Sequence, residues 1–338
     1  MQSKPLYCSK ILICLLLALL LSACTSPPEE SELATSKPVD PLNICYGATL
    51  GSLIMIAEQE GFFREQDLAV NLILKKIGRA NVAALNDGSC DVALAAETPV
   101  IHNSYTRDDF KILGTVAQSR SLNRIITFSD SGIKTGTDLK NRRIATARNS
   151  SFHFFLDVYL NKHGLTEKDI NLEGMKGAEL IPALEKRTVD AIVTTDMHAF
   201  RLKERLGDAI EIISAPGLNL NYGYLLADKT VTSQEPDKLN KLLAALLQSQ
   251  HFIDQHPETA RNRFSRTTGV SADSTEKIWL DRSYRLSFDH IMLAILDDHA
   301  RWMLDKGAIV ADRVPNLFNY LHLDPLKKQA PEAVNLMR

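Results

Sequence analysis

Residues 81–95 read NVAALNDGSCDVALA: an apolar helical segment, a turn around Gly88, then an apolar run that opens Asp91-Val-Ala. Later in the chain Ala183-Leu184 is followed at the same spacing by Asp190-Ala-Ile. Reading outward from the first copy, Asn43 to Ala48 is a predicted strand and Ser52 to Gln59 a helix with Gly61 as its stop. Leu68 to Leu74 is the next strand, Asn81 to Asn86 lies in a helix, and Asp91 to Ala95 is a third strand. Outward from the second copy, Ile144 to Ala147 is a strand, and Phe152, Phe155, Leu156, Tyr159 and Leu160 form a helical apolar stripe ending at Gly164. Ile170 to Leu172, Glu179 to Lys186 and Asp190 to Thr194 then repeat the strand, helix, strand order. Short apolar runs alternating with amphipathic stretches predict parallel sheets covered by helices, here in two similar α/β lobes.

Arg124 to Phe128 leads from the first lobe to the second, and Tyr222 to Ala227 is a return strand, so the chain crosses twice and makes a hinge. Helices are predicted over Lys238–Phe252, Pro257–Phe264, Ser274–Leu280 and Asp289–Asp305; Leu242, Leu243, Leu246 and Leu247 read as a core-facing stripe. These signals place lobe 1 at 42–125 plus 227–320 and lobe 2 at 126–226, with 321–338 as a tail.

The 338 residues are 45% hydrophobic and 24% charged, which excludes a mainly disordered chain, and a length of this order predicts about two domains. With 39 Lys+Arg against 41 Asp+Glu and no local basic patch, a nucleic-acid partner is not expected.

At the start, Lys4 and Lys10 precede the apolar run Ile11 to Leu21, too short to span a bilayer and typical of a secretory signal over 1–23. Leu21-Ser22-Ala23-Cys24 resembles a bacterial lipobox, which makes Cys24 a lipidated, palmitate-bearing anchor. Residues 24–41, rich in Pro, Ser and Glu, read as a flexible tether. The expected location is the cell envelope, anchored by lipid and facing the periplasm or the outside. Cys8 and Cys14 leave with the signal, so Cys45 and Cys90 remain in the fold, either as a disulfide or as two small buried thiols.

Three stretches carry a family resemblance. They are Ala57-Glu-Gln-Glu-Gly-Phe-Phe-Arg-Glu-Gln-Asp-Leu-Ala-Val-Asn-Leu72; Ala84-Leu85 through Asp91-Val92-Ala93 to Thr98-Pro99; and Asp138-Leu139-Lys140 through Ile144-Ala145, Ser150-Ser151-Phe152-His153 and Leu160 to Asp190-Ala191. The Pro257-Glu258-Thr259-Ala260 helix agrees with them. Together they resemble the periplasmic substrate-binding proteins of ABC importers, in the nitrate/sulfonate/taurine-binding (SsuA/NMT1-like) branch. The resemblance implies a type II two-lobed periplasmic-binding-protein fold, each lobe a mostly parallel sheet flanked by helices. It also implies a small-molecule ligand in the cleft, delivery to the transmembrane subunits of an ABC permease, and a monomer without cofactor or metal.

In open α/β sheets, ligands bind beyond the carboxyl ends of the strands, which points to four loops. Gly47 to Ser52 offers Thr49, Ser52 and free backbone N–H groups to an oxyanion, unless Ser52 only caps its helix. Ala96 to Pro99 offers Glu97 and Thr98; a carboxylate there favours an amine, or is an exposed loop glutamate. Arg148 to His153 brings Asn149, Ser150, Ser151 and His153 to a helix N-terminus suited to sulfonate, carboxylate or nitrate; a serine that is only a cap and a surface His153 are the plainer readings. In the fourth loop, Thr195 and Asp196 face the ligand in the family, and Asp196 either pairs with an amine or stays solvated. The ligand's charge stays open between an anion and a zwitterion such as taurine. Trp279, Tyr284 and Arg285 read as lobe packing.

No Gly-x-Ser-x-Gly elbow, phosphate loop or His-x-x-x-His pair is present, and the cysteine-rich motif of the thiamine-pyrimidine synthase branch is absent, so an enzyme is not expected. A receptor for a thiamine-precursor pyrimidine and a ligand-binding sensor or scaffold lipoprotein stay open beside transport.

Overall fold

The computed structural model describes residues 40–75 and 78–336. The signal segment, Cys24 and almost all of the tether lie outside the described residues. Among the described residues, no helix is long and apolar enough to cross a membrane.

The first lobe opens with β1 (Leu42–Tyr46), α1 (Ser52–Glu60), α2 (Phe62–Glu65), β2 (Val70–Leu74), α3 (Gly78–Asn86), β3 (Val92–Ala95), α4 (Glu97–Thr106) and β4 (Phe110–Ser119). The second holds β5 (Asn123–Phe128), β6 (Arg143–Thr146), α5 (Ser151–Lys162), β7 (Asn171–Gly174), α6 (Gly177–Glu185), β8 (Ala191–Thr195), α7 (Asp196–Leu206) and β9 (Ile210–Ile213). The chain then returns through β10 (Asn221–Asp228) to α8 (Lys229–Gln234), α9 (Pro236–Gln255), α10 (Pro257–Thr268), α11 (Ala272–Leu280), β11 (Arg282–Ser283), β12 (Phe288–Asp289), α12 (His290–Asp305), α13 (Asp324–Gln329) and β13 (Val334–Asn335).

The sheets run β2-β1-β3-β10-β4-β11 and β7-β6-β8-β5-β9. In each, three parallel strands are followed by one antiparallel strand that has just crossed from the other lobe: β10 beside β3, and β5 beside β8. The sheets are therefore mixed rather than simply parallel. The expected boundaries shift accordingly. Lobe 2 begins at β5, from Asn123, and β10 lies inside the first sheet, so 221–226 belongs to lobe 1. The expected tail is not one: α13 buries Leu326 against the lobe 1 core, and β13 pairs with β12.

Period-two alternation explains the second lobe's two cores. Ile125, Ile144 and Val193 face one side of the sheet, with Phe155, Leu156, Tyr159 and Leu160 of α5 over them. Their chain neighbours Ile126, Ala145 and Ile192 face the other, under Leu180 and Leu184 of α6 and Ala199 and Leu202 of α7. In lobe 1, Leu242, Leu243 and Leu246 of α9 join the central core as their spacing predicts, together with Leu239, while Leu247 is only partly buried against it. Gly61 adopts φ 83° and donates its N–H to the Ala57 and Glu58 carbonyls, a left-handed stop that ends α1 at the expected residue. Cys45 of β1 is joined to Cys90, just ahead of β3, with Cα atoms 5.9 Å apart, a spacing suited to a disulfide.

Candidate functional site

β1, β3, β6 and β8 are each followed by a helix after a turn of at most five residues, and each turn touches a hinge strand: Leu50 meets Gly223, Glu97 bonds Tyr222, Ser151 lies against Asn123, and Thr195 pairs with Asn123. At the first turn the chain bends so tightly that a Cβ on Gly51 would meet the Gly47 carbonyl oxygen at 2.6 Å. Gly51, not Ser52, is the capping residue of α1. Ser52 is fully buried, and its hydroxyl has no partner among the described residues. Thr49 sits half-buried in the turn before it.

Glu97 departs from both sequence readings. It is neither exposed nor open to an amine: its carboxylate is wholly buried and accepts hydrogen bonds from the Tyr222 backbone N–H at 2.5 Å and Asn221 Nδ2 at 3.2 Å. Burial pushes its pKa up to about 7 against those bonds. Asn221 Oδ1 in turn accepts from Asn123 Nδ2 at 3.2 Å, and Asn123 Nδ2 lies 3.5 Å from the Ser151 carbonyl. One amide chain thus crosses both hinge strands from α4 to α5. Thr98 is buried beside Glu97 in sequence, its hydroxyl unpartnered among the described residues.

In the third turn, Ser150 is a helix cap, accepting from Phe152 N–H at 3.2 Å and donating to the Ala147 carbonyl at 2.6 Å. Asn149 adopts φ 55°, gives its N–H to His153 Nδ1, and presents its carbonyl to Arg79 Nη2 of lobe 1 at 3.4 Å. Ser151 is half-buried at the first position of α5. His153 is not a surface residue: it is buried, with Nε2 3.1 Å from Glu167 and its ring edge-on to Trp302. Burial holds its pKa down, opposed by Glu167.

In the fourth turn Thr195 caps α7 through His198 N–H at 3.4 Å. Asp196 is neither solvated nor left for an amine. Its two oxygens lie 2.9 and 3.1 Å from Nη2 of Arg282 on β11 of the other lobe, and both side chains are 0% exposed. Burial pushes Asp196 up, and Arg282 and Arg124 pull it back.

Arg282 is the residue that sequence reading missed. Its Nε and Nη1 have no partner among the described residues, and neither does the hydroxyl of fully buried Tyr284. Burial pushes the Tyr284 phenol up to about 12 against the Arg282 charge and the Ser52 hydroxyl. Arg285, singled out instead, is half exposed and bonds Asp254; Trp279 packs between Phe264 and Tyr284, as expected of a packing residue. Ser52, Tyr284 and Arg282 from one lobe thus meet Asp196 from the other, with Arg124, at the start of β5, close by.

Known proteins place this arrangement in context. Over 217 residues, 62% of this chain and 67% of the relative, the chain is 24% identical to a Haemophilus influenzae protein named for thiamine biosynthesis. It is 22% identical over 232 residues, 67% of this chain and 70% of the relative, to a Bacillus subtilis protein named for binding aliphatic sulfonates. Among solved structures, the alkanesulfonate-binding protein SsuA of Xanthomonas axonopodis pv. citri, bound to MOPS, superposes with a TM-score of 0.73 at 20% identity, covering 85% of this chain and 100% of that one. The desulfurization enzyme DSZB shares the fold as well, with a TM-score of 0.67 at 14% identity over 86% of this chain and 99% of that one. The fold is that of the periplasmic binding proteins, which by itself does not separate a receptor from an enzyme. Residues 52–260, from the buried serine that opens α1 into α10, match the NMT1/THI5-like family model, and the chain belongs to that family.

Proposed function

We propose that this protein is the membrane-anchored solute receptor of an ABC importer, capturing a small organic anion of the aliphatic sulfonate type between its lobes. The observation that carries this reading is Arg282: a fully buried guanidinium with two nitrogens that have no partner among the described residues, beside the buried hydroxyls of Ser52 and Tyr284. A buried charge with free donors favours an oxyanion, since each such donor is costly to leave unsatisfied. Both carboxylates that suggested an amine are already bonded within the protein, Glu97 to β10 and Asp196 to Arg282, which favours a simple anion over taurine. The sulfonate-binding names of the Bacillus relative and the Xanthomonas structure support the same class.

Ser52, Thr98 and Tyr284 hold the ligand from lobe 1; Ser151 and the N-terminal N–H groups of α5 hold it from lobe 2. A ligand that contacts both lobes binds the form closed about the two hinge strands more tightly and so stabilises it. Anchoring through Cys24, delivery to permease subunits, a monomeric state and the absence of catalysis belong to the same reading. A receptor for a thiamine-precursor pyrimidine is the second reading, favoured by the name of the Haemophilus relative.

Thermal unfolding of the purified protein against sulfonates, taurine, nitrate, carboxylates and pyrimidines separates them. A ligand at a hundred times its dissociation constant adds about 2.7 kcal/mol. Stabilisation by alkanesulfonates is the expected result. A response to pyrimidines alone replaces the anion with the second reading, and a response to nothing favours a sensor or scaffold.

A further inference from the structure

Beyond the hinge amides and the Arg79–Asn149 contact, side chains among the described residues hold the lobes together at three further places. The first is the Asp196–Arg282 pair, in which Arg282 sits on β11 at the edge of the first sheet and Asp196 opens α7 after β8 of the second. Nearby, Ser271, the cap of α11, donates both its hydroxyl, at 2.5 Å, and its N–H, at 3.2 Å, to Glu204 of α7. On the other rim, Asp157 of α5 accepts from Trp302 Nε1 at 3.1 Å and Lys306 Nζ at 2.8 Å, and Phe154 stacks on His299 with ring centroids 3.8 Å apart. Met197 and Phe200 of α7 and Phe154 of α5, all from lobe 2, pack into the lobe 1 core.

The first contact differs in kind from the others. Lys306 and Glu204 are partly or fully solvated, and the buried Trp302–Asp157 and Phe154–His299 contacts each pair a neutral ring with one other group, whereas Asp196 and Arg282 are two opposite charges whose side chains are both wholly buried. Parting the lobes exchanges their mutual bond for hydration. Removing one partner leaves the other charged and dry, a state relieved most easily by opening. We infer that Asp196 is a built-in latch: its carboxylate occupies Arg282 and closes the lobes without a solute, so that a solute enters only in the intervals when this pair parts. A closed majority lowers the competent fraction and slows association in proportion.

Small-angle scattering of the full protein without solute tests the latch directly. The wild type is expected to show the same radius of gyration with and without saturating methanesulfonate. Asp196→Asn, which keeps the shape and removes the charge, is expected to show a larger radius without solute. A second readout, which rests on the anion-receptor reading above, is the association rate of methanesulfonate, expected to rise about tenfold or more in the variant as the open fraction grows. A wild type that is already expanded without solute, or a folded Asp196→Asn protein as compact as the wild type, overturns the latch. If Asp196→Asn fails to fold, Arg282→Lys replaces it in the same comparison, and a wild-type radius that falls on adding methanesulfonate still overturns the latch. Failure of methanesulfonate to bind either protein defeats the anion reading, while the solute-free scattering still judges the latch.

Discussion

Glu97 and Asp196 hold matching places in the two lobes. Each is the first residue of the helix that follows the third strand of its lobe's parallel group, and each is wholly buried. Their partners differ. Glu97 is held by neutral donors of its own lobe, the Tyr222 N–H and the Asn221 amide, whereas Asp196 is held by a guanidinium from the opposite lobe. One acid therefore fastens a helix to its own hinge strand; the other fastens lobe to lobe. The same local design yields a structural tie in one lobe and a conformational contact in the other, according to what the second partner is attached to.

The largest expected break in this comparison comes from Arg282. Arg282→Ala removes the cation that serves both Asp196 and the proposed anion, and truncating one member of a buried charged pair typically costs about 2–5 kcal/mol of binding. Calorimetric titration with an alkanesulfonate should then show a loss of roughly thirtyfold to several thousandfold. Arg285→Ala, three positions on but half exposed on Asp254, should leave affinity unchanged. Equal losses in both variants would remove Arg282 from the site.

Glu97 should reveal itself through pH. Its pKa in the folded protein, about 7, stands above the ordinary value of 4.5, so the folded state holds the proton more tightly than the unfolded one. Its contribution to stability is then complete below pH 4.5 and is lost as pH rises through 7. Glu97→Gln should flatten that fall in urea-denaturation midpoints measured between those limits. It should also add a constant cost of about 1–3 kcal/mol, because a glutamine amide accepts only one of the two hydrogen bonds that the carboxylate oxygens take. An unchanged pH slope would place the titration elsewhere.

What the sequence revealed follows from how far each signal travels along the chain. The paired strand–helix–strand units were legible because their periodicities are local, and the repeated Ala-Leu to Asp spacing set them side by side. The crossing strands are legible but their sheet membership is not: β10 has fully buried residues throughout most of its length, yet nothing in NYGYLLAD says which sheet buries it. Arg282 was invisible for a sharper reason. It lies in a two-residue strand close to another arginine, and its significance comes from Asp196, which a local pattern cannot connect to it. Glu97 misled similarly, since a glutamate after a strand reads as a loop charge until the hinge strand closes over it.

The two helix-opening serines give the finest version of the comparison. In lobe 2, Ser150 spends its hydroxyl on its own helix, accepting from Phe152 and donating to Ala147; in lobe 1, glycine caps α1, and the Ser52 hydroxyl is left buried and unpartnered among the described residues. The two serine hydroxyls are therefore differently engaged: one caps its helix, and the other is left over for a ligand in the proposed reading. Ser150→Ala should cost about 1 kcal/mol of stability, as lost caps do, with sulfonate affinity unchanged. Ser52→Ala removes no well-formed hydrogen bond, only the Ser52 hydroxyl's approach to the Tyr284 phenol, so it should leave stability nearly level. Its loss should appear in binding instead, at about 0.5–1.5 kcal/mol for a single hydroxyl contact, a factor of roughly 2–13. Should the effects be exchanged, with Ser150 carrying the affinity and Ser52 the stability, the Ser52 hydroxyl would leave the proposed site, and lobe 2 would be the primary binding face.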